Sequence, residues 1–397
     1  MEKIFKKSYH SNIYKLYFIR LFFHMHFISA VLVTFFTEWG RISFSKVLFI
    51  NAWFMLWNFI LEIPTGTVSD FISRKISIIL GSIFGIIAIL VMLSYPHFYI
   101  FLIAEILFAV SYTLNSGADT ALCYDSLIEI GKEKDSKKIL GNLDSFNLVG
   151  IMIGAAFGGF IAKFFGLSAP LLFQITPLIF AIILSITLKE PIKRGSANSK
   201  NYLDILKEGI KVFKNNNAIK ILTLDMVFVN SLVWLIIWFY QVILKELKVD
   251  IMYFGVVHLL MCLAQILVIK SSSRLEKFFK SKRIVLFLGG FIAGIGFIMI
   301  ILFKNPIVVS FFIIIVAGFG LSRNPLFSNY MNKYIESDNR ATVLSVVSMF
   351  RTLMIFFINL IAGILSDWSI NKTLLIVGIT LIVFSFISKI REDHLID

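Results

Sequence analysis

Apolar residues run along this chain in long unbroken blocks. Twelve of them are long enough to cross a hydrocarbon layer of about 30 Å as helices. They are Ile13–Phe36, Val47–Gly66, Ile76–Tyr95, Phe98–Ala121, Ile139–Ala162, Ser168–Leu188, Ala218–Gln241, Ile251–Ile269, Ile284–Phe303, Pro306–Phe327, Ala341–Ser366 and Thr373–Ile390. Short polar turns separate them, and the short alternating segments of a β-barrel are absent. The pattern predicts an all-α integral membrane protein with twelve transmembrane helices. The first run has no small-residue cleavage site after it and reads as a retained helix.

The longest polar stretch, Lys189 to Asn217, follows the sixth block. It divides the chain into two six-helix bundles, 1–188 and 218–397, joined by the linker 189–217. Within the linker, Leu203, Leu206, Ile210 and Phe213 recur at helical spacing among Lys200, Lys207, Lys211 and Lys214. That spacing predicts an amphipathic helix lying on a membrane face, or a plain connector.

Composition narrows the function. With 58% hydrophobic residues, 16% charged residues and a mean hydropathy of +0.86, no soluble domain fits. The net charge of +14 would suit nucleic acid, but most of the 38 Lys and Arg fall in the loops on one side. This is the positive-inside bias, and it predicts a multi-pass protein of the plasma membrane with both termini cytoplasmic and no nucleic-acid partner. Anionic lipid adds to the attraction on that side. Cys123 and Cys262 lie in or beside apolar helices without Cys-x-x-Cys spacing and read as core residues, not a disulfide or metal site. No phosphate loop, Ser/His/Asp constellation or metal cluster stands out, so neither an enzyme nor a cofactor is expected.

Charges inside the helices carry the chemistry, because each costs at least about 2.5–3.5 kcal/mol at mid-membrane. Arg20 and His24 share a face of the first helix, Glu105 and Asp119 lie in the fourth, Asp225 in the seventh and Arg351 in the eleventh. Arg20 with Asp225, or Arg351 with a carboxylate nearby, would make a structural ion pair. The alternative is proton handling, for which Glu105, Asp225 and His24 are the candidates, with Glu105, set in an apolar run, the foremost. Trp53 and Trp57, like Trp234 and Trp238, are four apart; each pair would stack on a planar substrate or face lipid. The halves repeat weakly: Lys15 and Arg20 align with Lys220 and Asp225, Ser116 and Tyr124 with Ser322 and Tyr330, and Asp70 and Arg74 with Glu276 and Lys280.

One decapeptide is sharper than all of these. Gly66-Thr-Val-Ser-Asp70-Phe-Ile-Ser-Arg74-Lys75, after the second helix, resembles the signature loop of the major facilitator superfamily, with Phe71 and Ser73 departing from it. Gly150-x-x-x-Gly154-Ala-Ala-Phe-Gly158-Gly159 is similar to the glycine-rich fifth-helix motif of drug–proton antiporters, with Ala155 where proline is usual. Glu62-Ile-Pro64-Thr-Gly66, Ser116-Gly117 and Arg340-Ala-Thr-Val-Leu-Ser345 look like a bacterial efflux-type subgroup. The resemblance implies alternating access in two bundles, with helices 1, 4, 7 and 10 bordering a cavity that Arg20, Arg351, Trp53 and Trp57 could line. It implies that Asp70 and Arg74 latch an inner gate with Asp125, and that the glycines of helix 5 form either a surface on which the halves rock or ordinary packing. The function it implies is proton-coupled efflux of amphipathic small molecules by a monomer whose partners are substrate, protons and lipid. Proton-coupled import of a small polar or anionic solute, lipid flipping and, further off, a polytopic membrane enzyme are the alternatives.

Overall fold

The computed structural model describes residues 2–71, 73–191, 210, 211, 213, 216–331, 333–335 and 340–395, without the side chains of 2–7, 63, 66–71 and 340–342. Gly66, Asp70, Leu203, Leu206 and Arg340 therefore fall, in side chain or entirely, outside the described residues. Among the described residues every regular element is helical. Eleven helical stretches are long and apolar enough to span a membrane, and the bent pair Ser8–Ala30 and Leu32–Trp39 supplies a twelfth if counted as one span.

The helices are α1 (Glu2–Phe23), α2 (Phe44–Phe71), α3 (Arg74–Ser94), α4 (Phe98–Asn115), α5 (Ala118–Glu129), α6 (Ser136–Phe165), α7 (Ala169–Ile186), α8 (Asn217–Trp234), α9 (Ile236–Glu246), α10 (Met252–Phe279), α11 (Lys282–Leu302), α12 (Pro306–Leu321), α13 (Arg323–Met331), α14 (Arg340–Trp368) and α15 (Ile370–Ile387). They form two compact units. One comprises Met1–Ile42 with Trp53–Ser199, the other Ser43–Ala52 with Lys200–Asp397. In the first, α3 packs on α4 and α7, and α1 on α6 and α7. In the second, α11 packs on α15 and α12, α10 on α12, and α8 on α14. Leu16, Ile78, Leu122, Cys123 and Leu143 share the core of the first. Phe213, the last apolar position of the linker pattern, is buried in the core of the second and packs on the Phe350 ring at 5.2 Å.

The first, fourth, seventh and tenth spans, each predicted as continuous, are all interrupted. α1 ends at Phe23, and the chain bends by 56° before Leu32–Trp39. α4 stops at Asn115, and Gly117 turns the chain with a left-handed φ of 76°, which glycine adopts without steric cost. α8 gives way to α9 at Leu235. α12 yields to α13 at Ser322, where Pro325 has no N–H to offer the carbonyl of Leu321. The Gln265 amide of α10 lies 3.4 Å from that oxygen and occupies the place of the missing donor.

Candidate functional site

Beside these breaks each unit holds a buried ion pair. In the first unit Arg20, near the end of α1, donates to Asp119 at 2.6 Å, to the Thr120 hydroxyl at 3.2 Å and to Asp144 of α6 at 3.1 Å. The Arg20 and Asp119 side chains are 16% and 8% exposed, whereas Asp144 is 72% exposed. In the second unit Arg323, the first residue of α13, pairs with Asp225 of α8 and donates to the carbonyl of Leu286, and Ser388 donates to the other Asp225 oxygen at 2.5 Å. Both partners are 5% exposed. The expected Arg20–Asp225 pair is thus corrected. The two residues occupy equivalent places in the repeat, and each is neutralised inside its own unit. The polarity is reversed between units: the cation sits on the first span of one and the anion on the first span of the other.

The break in the first span is packed against α6. A Cβ at Gly150 would lie 2.3 Å from the Leu21 carbonyl oxygen, one at Gly154 2.6 Å from the His26 nitrogen, and one at Gly158 1.9 Å from the Phe27 carbonyl oxygen. These glycines therefore let the irregular backbone of residues 21–30 lie directly on α6, and Gly159 is buried beside them. Their packing partner is the first span of their own unit, so the close approach serves the bend. His24 stands half-buried at the break, edge-on to His26 at 5.9 Å. It is His26, not singled out from the sequence, that meets a polar partner, Gln174 of α7 at 3.0 Å.

The turn before α3 is built around a carboxylate. Ser73 caps α3 by accepting from the N–H of Ile76. Glu190, which follows α7, accepts from the Ser73 hydroxyl at 2.8 Å and from the N–H groups of Arg74 and Lys75 at 2.9 and 3.0 Å. Lys75 returns its ammonium to the carbonyls of Ile186 and Leu188. Arg74 pairs with Asp125 of α5 and donates to the Ala121 carbonyl at 3.0 Å. The second unit repeats the device. Ser281 caps α11, and Glu392 accepts from the Ser281 hydroxyl at 2.7 Å and from the N–H groups of Lys282 and Arg283 at 2.6 and 3.0 Å. Ser73-Arg-Lys-Ile thus corresponds to Ser281-Lys-Arg-Ile, two residues out of register with the alignment read from the sequence. Glu276 instead accepts from the Tyr330 hydroxyl at 2.6 Å.

The remaining candidates stand apart from these networks. Glu105 on α4 and Arg351 on α14 are half-buried, and among the described residues no hydrogen bond or ion pair reaches either. Arg351 lies eight residues past Val343 in the span Val343–Trp368, about 12 Å along a helix, and so is nearer the middle of its span than either end. Trp53 donates to the Leu102 carbonyl at 3.1 Å and meets Trp57 edge to face, with 5.8 Å between ring centroids and 75° between planes. That geometry ties α2 to α4 and does not offer two parallel faces for stacking.

Two bundles of apolar helices, each with interrupted spans and a buried charge pair, define a multi-pass membrane protein. The Major Facilitator Superfamily pattern matches residues 16–359, and the chain belongs to that family of transporters. No curated protein matches it in sequence. Among solved structures it is similar to the nucleoside transporter NupG, at 12% identity over 96% of this chain and 100% of that one, with a TM-score of 0.79. It is also similar to a D-xylose–proton symporter, at 13% identity over 98% of both chains and a TM-score of 0.75. A bacterial homolog of the human lysosomal transporter Spinster has 15% identity over 98% of this chain and 96% of that one, with a TM-score of 0.74. At these identities the likeness establishes the fold.

Proposed function

We propose that this chain is a proton-coupled secondary transporter of the plasma membrane, with both termini cytoplasmic, and that Asp144 carries the coupled proton. The observation behind this reading is the charge count around Arg20. One guanidinium serves two carboxylates, Asp119 and Asp144. Asp119 is buried and holds the shorter contact, so a proton arriving at the site is taken up at the least cost by the exposed carboxylate. Protonation of Asp144 balances the cluster; its loss restores one net negative charge. A cluster that alternates between these two states as it meets water on one side and then the other couples proton flow to conformational change.

The cargo has two readings. Export of an amphipathic molecule follows from the likeness of the Gly150–Gly159 motif to antiporters. Import of a small polar solute is favoured by the Trp53–Trp57 geometry, which offers no stacking clamp, and by the likeness to a nucleoside transporter and a D-xylose–proton symporter. Everted vesicles with an acid interior, offered a nucleoside, a pentose and an amphipathic dye in turn, separate the two, since gradient-driven accumulation inside them marks an exporter. In proteoliposomes Asp144→Asn should lose gradient-driven flux and keep counterflow, with Glu105→Gln as the matched comparison. Intact gradient-driven flux in Asp144→Asn would overturn the assignment, and its loss in Glu105→Gln alone would move coupling to α4.

A further inference from the structure

Two polar atoms buried at the contact of α1 with α6 lack partners, and they are complementary. Arg20 Nε is a donor, Asn147 Oδ1 is an acceptor, and among the described residues no hydrogen bond reaches either atom. A polar atom buried in this way has lost water and gained nothing in exchange, so an arrangement that joins the two recovers that loss.

The helices bring both atoms to one side. α1 and α6 run parallel in matched register: the Tyr17 ring stacks on Phe146 with centroids 5.0 Å apart, and the Leu21 carbonyl lies against Gly150. Asn147 falls between Phe146 and Gly150, as Arg20 does between Tyr17 and Leu21, and it stands one turn past Asp144 on the same helix. The guanidinium is planar, and Nε shares an edge with Nη2, the nitrogen that reaches Asp144 at 3.1 Å. Its N–H is therefore turned toward α6. The far nitrogen, Nη1, is held by Asp119 at 2.6 Å and Thr120 at 3.2 Å. Besides Asp119 and Asp144, the titratable groups facing Arg20 are Tyr112 of α4, Cys123 of α5 and His24 at the break, and α7 carries none.

We propose, resting on the reading of Asp144 as the proton carrier, that Asn147 is a positioning residue that takes over the Arg20 guanidinium when Asp144 is neutral. An ionised Asp144 draws Nη2 to itself and leaves Nε bare. Once that carboxyl holds a proton, its exposed oxygens offer the guanidinium no more than water does. Nη1 stays on Asp119, the guanidinium pivots about that contact, and Nε–H closes on the buried Asn147 oxygen. The arrival of a proton thus becomes a movement of Arg20 along α6 toward Gly150, against which the bend of the first span is packed.

A double-mutant cycle on the full chain in one detergent tests the handover without recourse to transport. Asn147→Leu keeps the shape of the side chain and removes the acceptor. At pH 8 in the wild-type background, where Asp144 holds Arg20, it should leave the unfolding equilibrium unchanged. In the Asp144→Asn background, which mimics the protonated carboxyl, the same substitution should shift that equilibrium by roughly tenfold, the worth of a hydrogen bond to a charged group. Asn147→Ala serves if the leucine variant does not fold, because the cycle cancels the cavity it leaves. Equal effects in the two backgrounds would overturn the handover, even where Asp144→Asn has lost gradient-driven flux and Asp144 keeps its place as the carrier. Coupling in the cycle together with intact flux in Asp144→Asn would uphold the handover and remove only the coupled proton from Asp144.

Discussion

Arg323 is ion-paired to Asp225 across the two interrupted spans of the second unit, and the pair is balanced, one cation to one carboxylate with Ser388 as a neutral third partner. Its counterpart in the first unit, Arg20 with Asp119, carries the extra carboxylate of Asp144. The same architectural position is therefore charge-balanced in one unit and carries one carboxylate in excess in the other.

This difference separates the two pairs in stability. Removing one partner of a buried pair leaves a bare charge and costs about 3–5 kcal/mol. Asp225→Asn should approach that loss, because among the described residues nothing else neutralises Arg323. Asp119→Asn should cost clearly less, because Asp144 still faces Arg20. Thermal unfolding of the purified variants in one detergent measures both. Equal losses would mean that Asp144 contributes nothing to holding Arg20.

The spans were legible in the sequence because a bilayer demands about twenty apolar residues in a row and little else satisfies that demand. The breaks were not, since Val31 and Leu235 continue the apolar run across two of them. Only Gly117 and Pro325 marked a break in the residues themselves. Arg20 and Asp225 were legible as costly charges, but their partners depend on which helix faces which, and the repeat misled by setting the two side by side. Glu190 and Glu392 escaped notice because each lies after the last helix of its bundle, more than a hundred residues from the turn it caps.

The bend of the first span depends on the absence of side chains on α6. At Gly158 a methyl group would sit 1.9 Å from the Phe27 carbonyl oxygen, so α6 and the bend must separate. Gly158→Ala should lower stability by about 1–3 kcal/mol, the usual cost of overpacking. Gly141→Ala, on the same helix with no neighbour within 4 Å, should be neutral or gain up to about 1 kcal/mol from helix propensity. Comparing the two melting temperatures isolates the contact from the backbone effect.

The cap at Glu392 should make stability depend on pH. Burial alone would push this carboxyl up, but the hydrogen bonds from the Ser281 hydroxyl and the N–H groups of Lys282 and Arg283 outweigh it and hold the group below the usual carboxylate range. A depressed carboxyl stabilises the fold above its unfolded value, near about 4.3, and loses that contribution as pH falls through the folded value. Glu392→Gln should therefore melt below wild type at pH 7, and the gap should close only below about pH 4. A gap constant over that range would remove Glu392 from the titration.

Arg74 and Asp125 join the start of α3 to α5, and we propose that they latch the cytoplasmic end of the first unit in one conformation and part in the other. The contact is suited to this, being half-exposed on both sides, so water can replace each partner when it opens. The Ala121 carbonyl, which Arg74 also engages, is two residues from Cys123, whose side chain is fully buried. Opening at the latch should uncover that thiol. In a Cys262→Ser background, Asp125→Ala should raise the maleimide labelling rate of Cys123 by about five- to a hundredfold, the range set by a coupling energy of roughly 1–3 kcal/mol. Arg74 makes both contacts through Nη1 alone, so Arg74→Lys, which keeps the charge on a differently shaped and more strongly hydrated head, should fall between the two. Labelling at the wild-type rate in Asp125→Ala would show that the pair only decorates the turn, and the gate would have to be sought in the Glu190 cap.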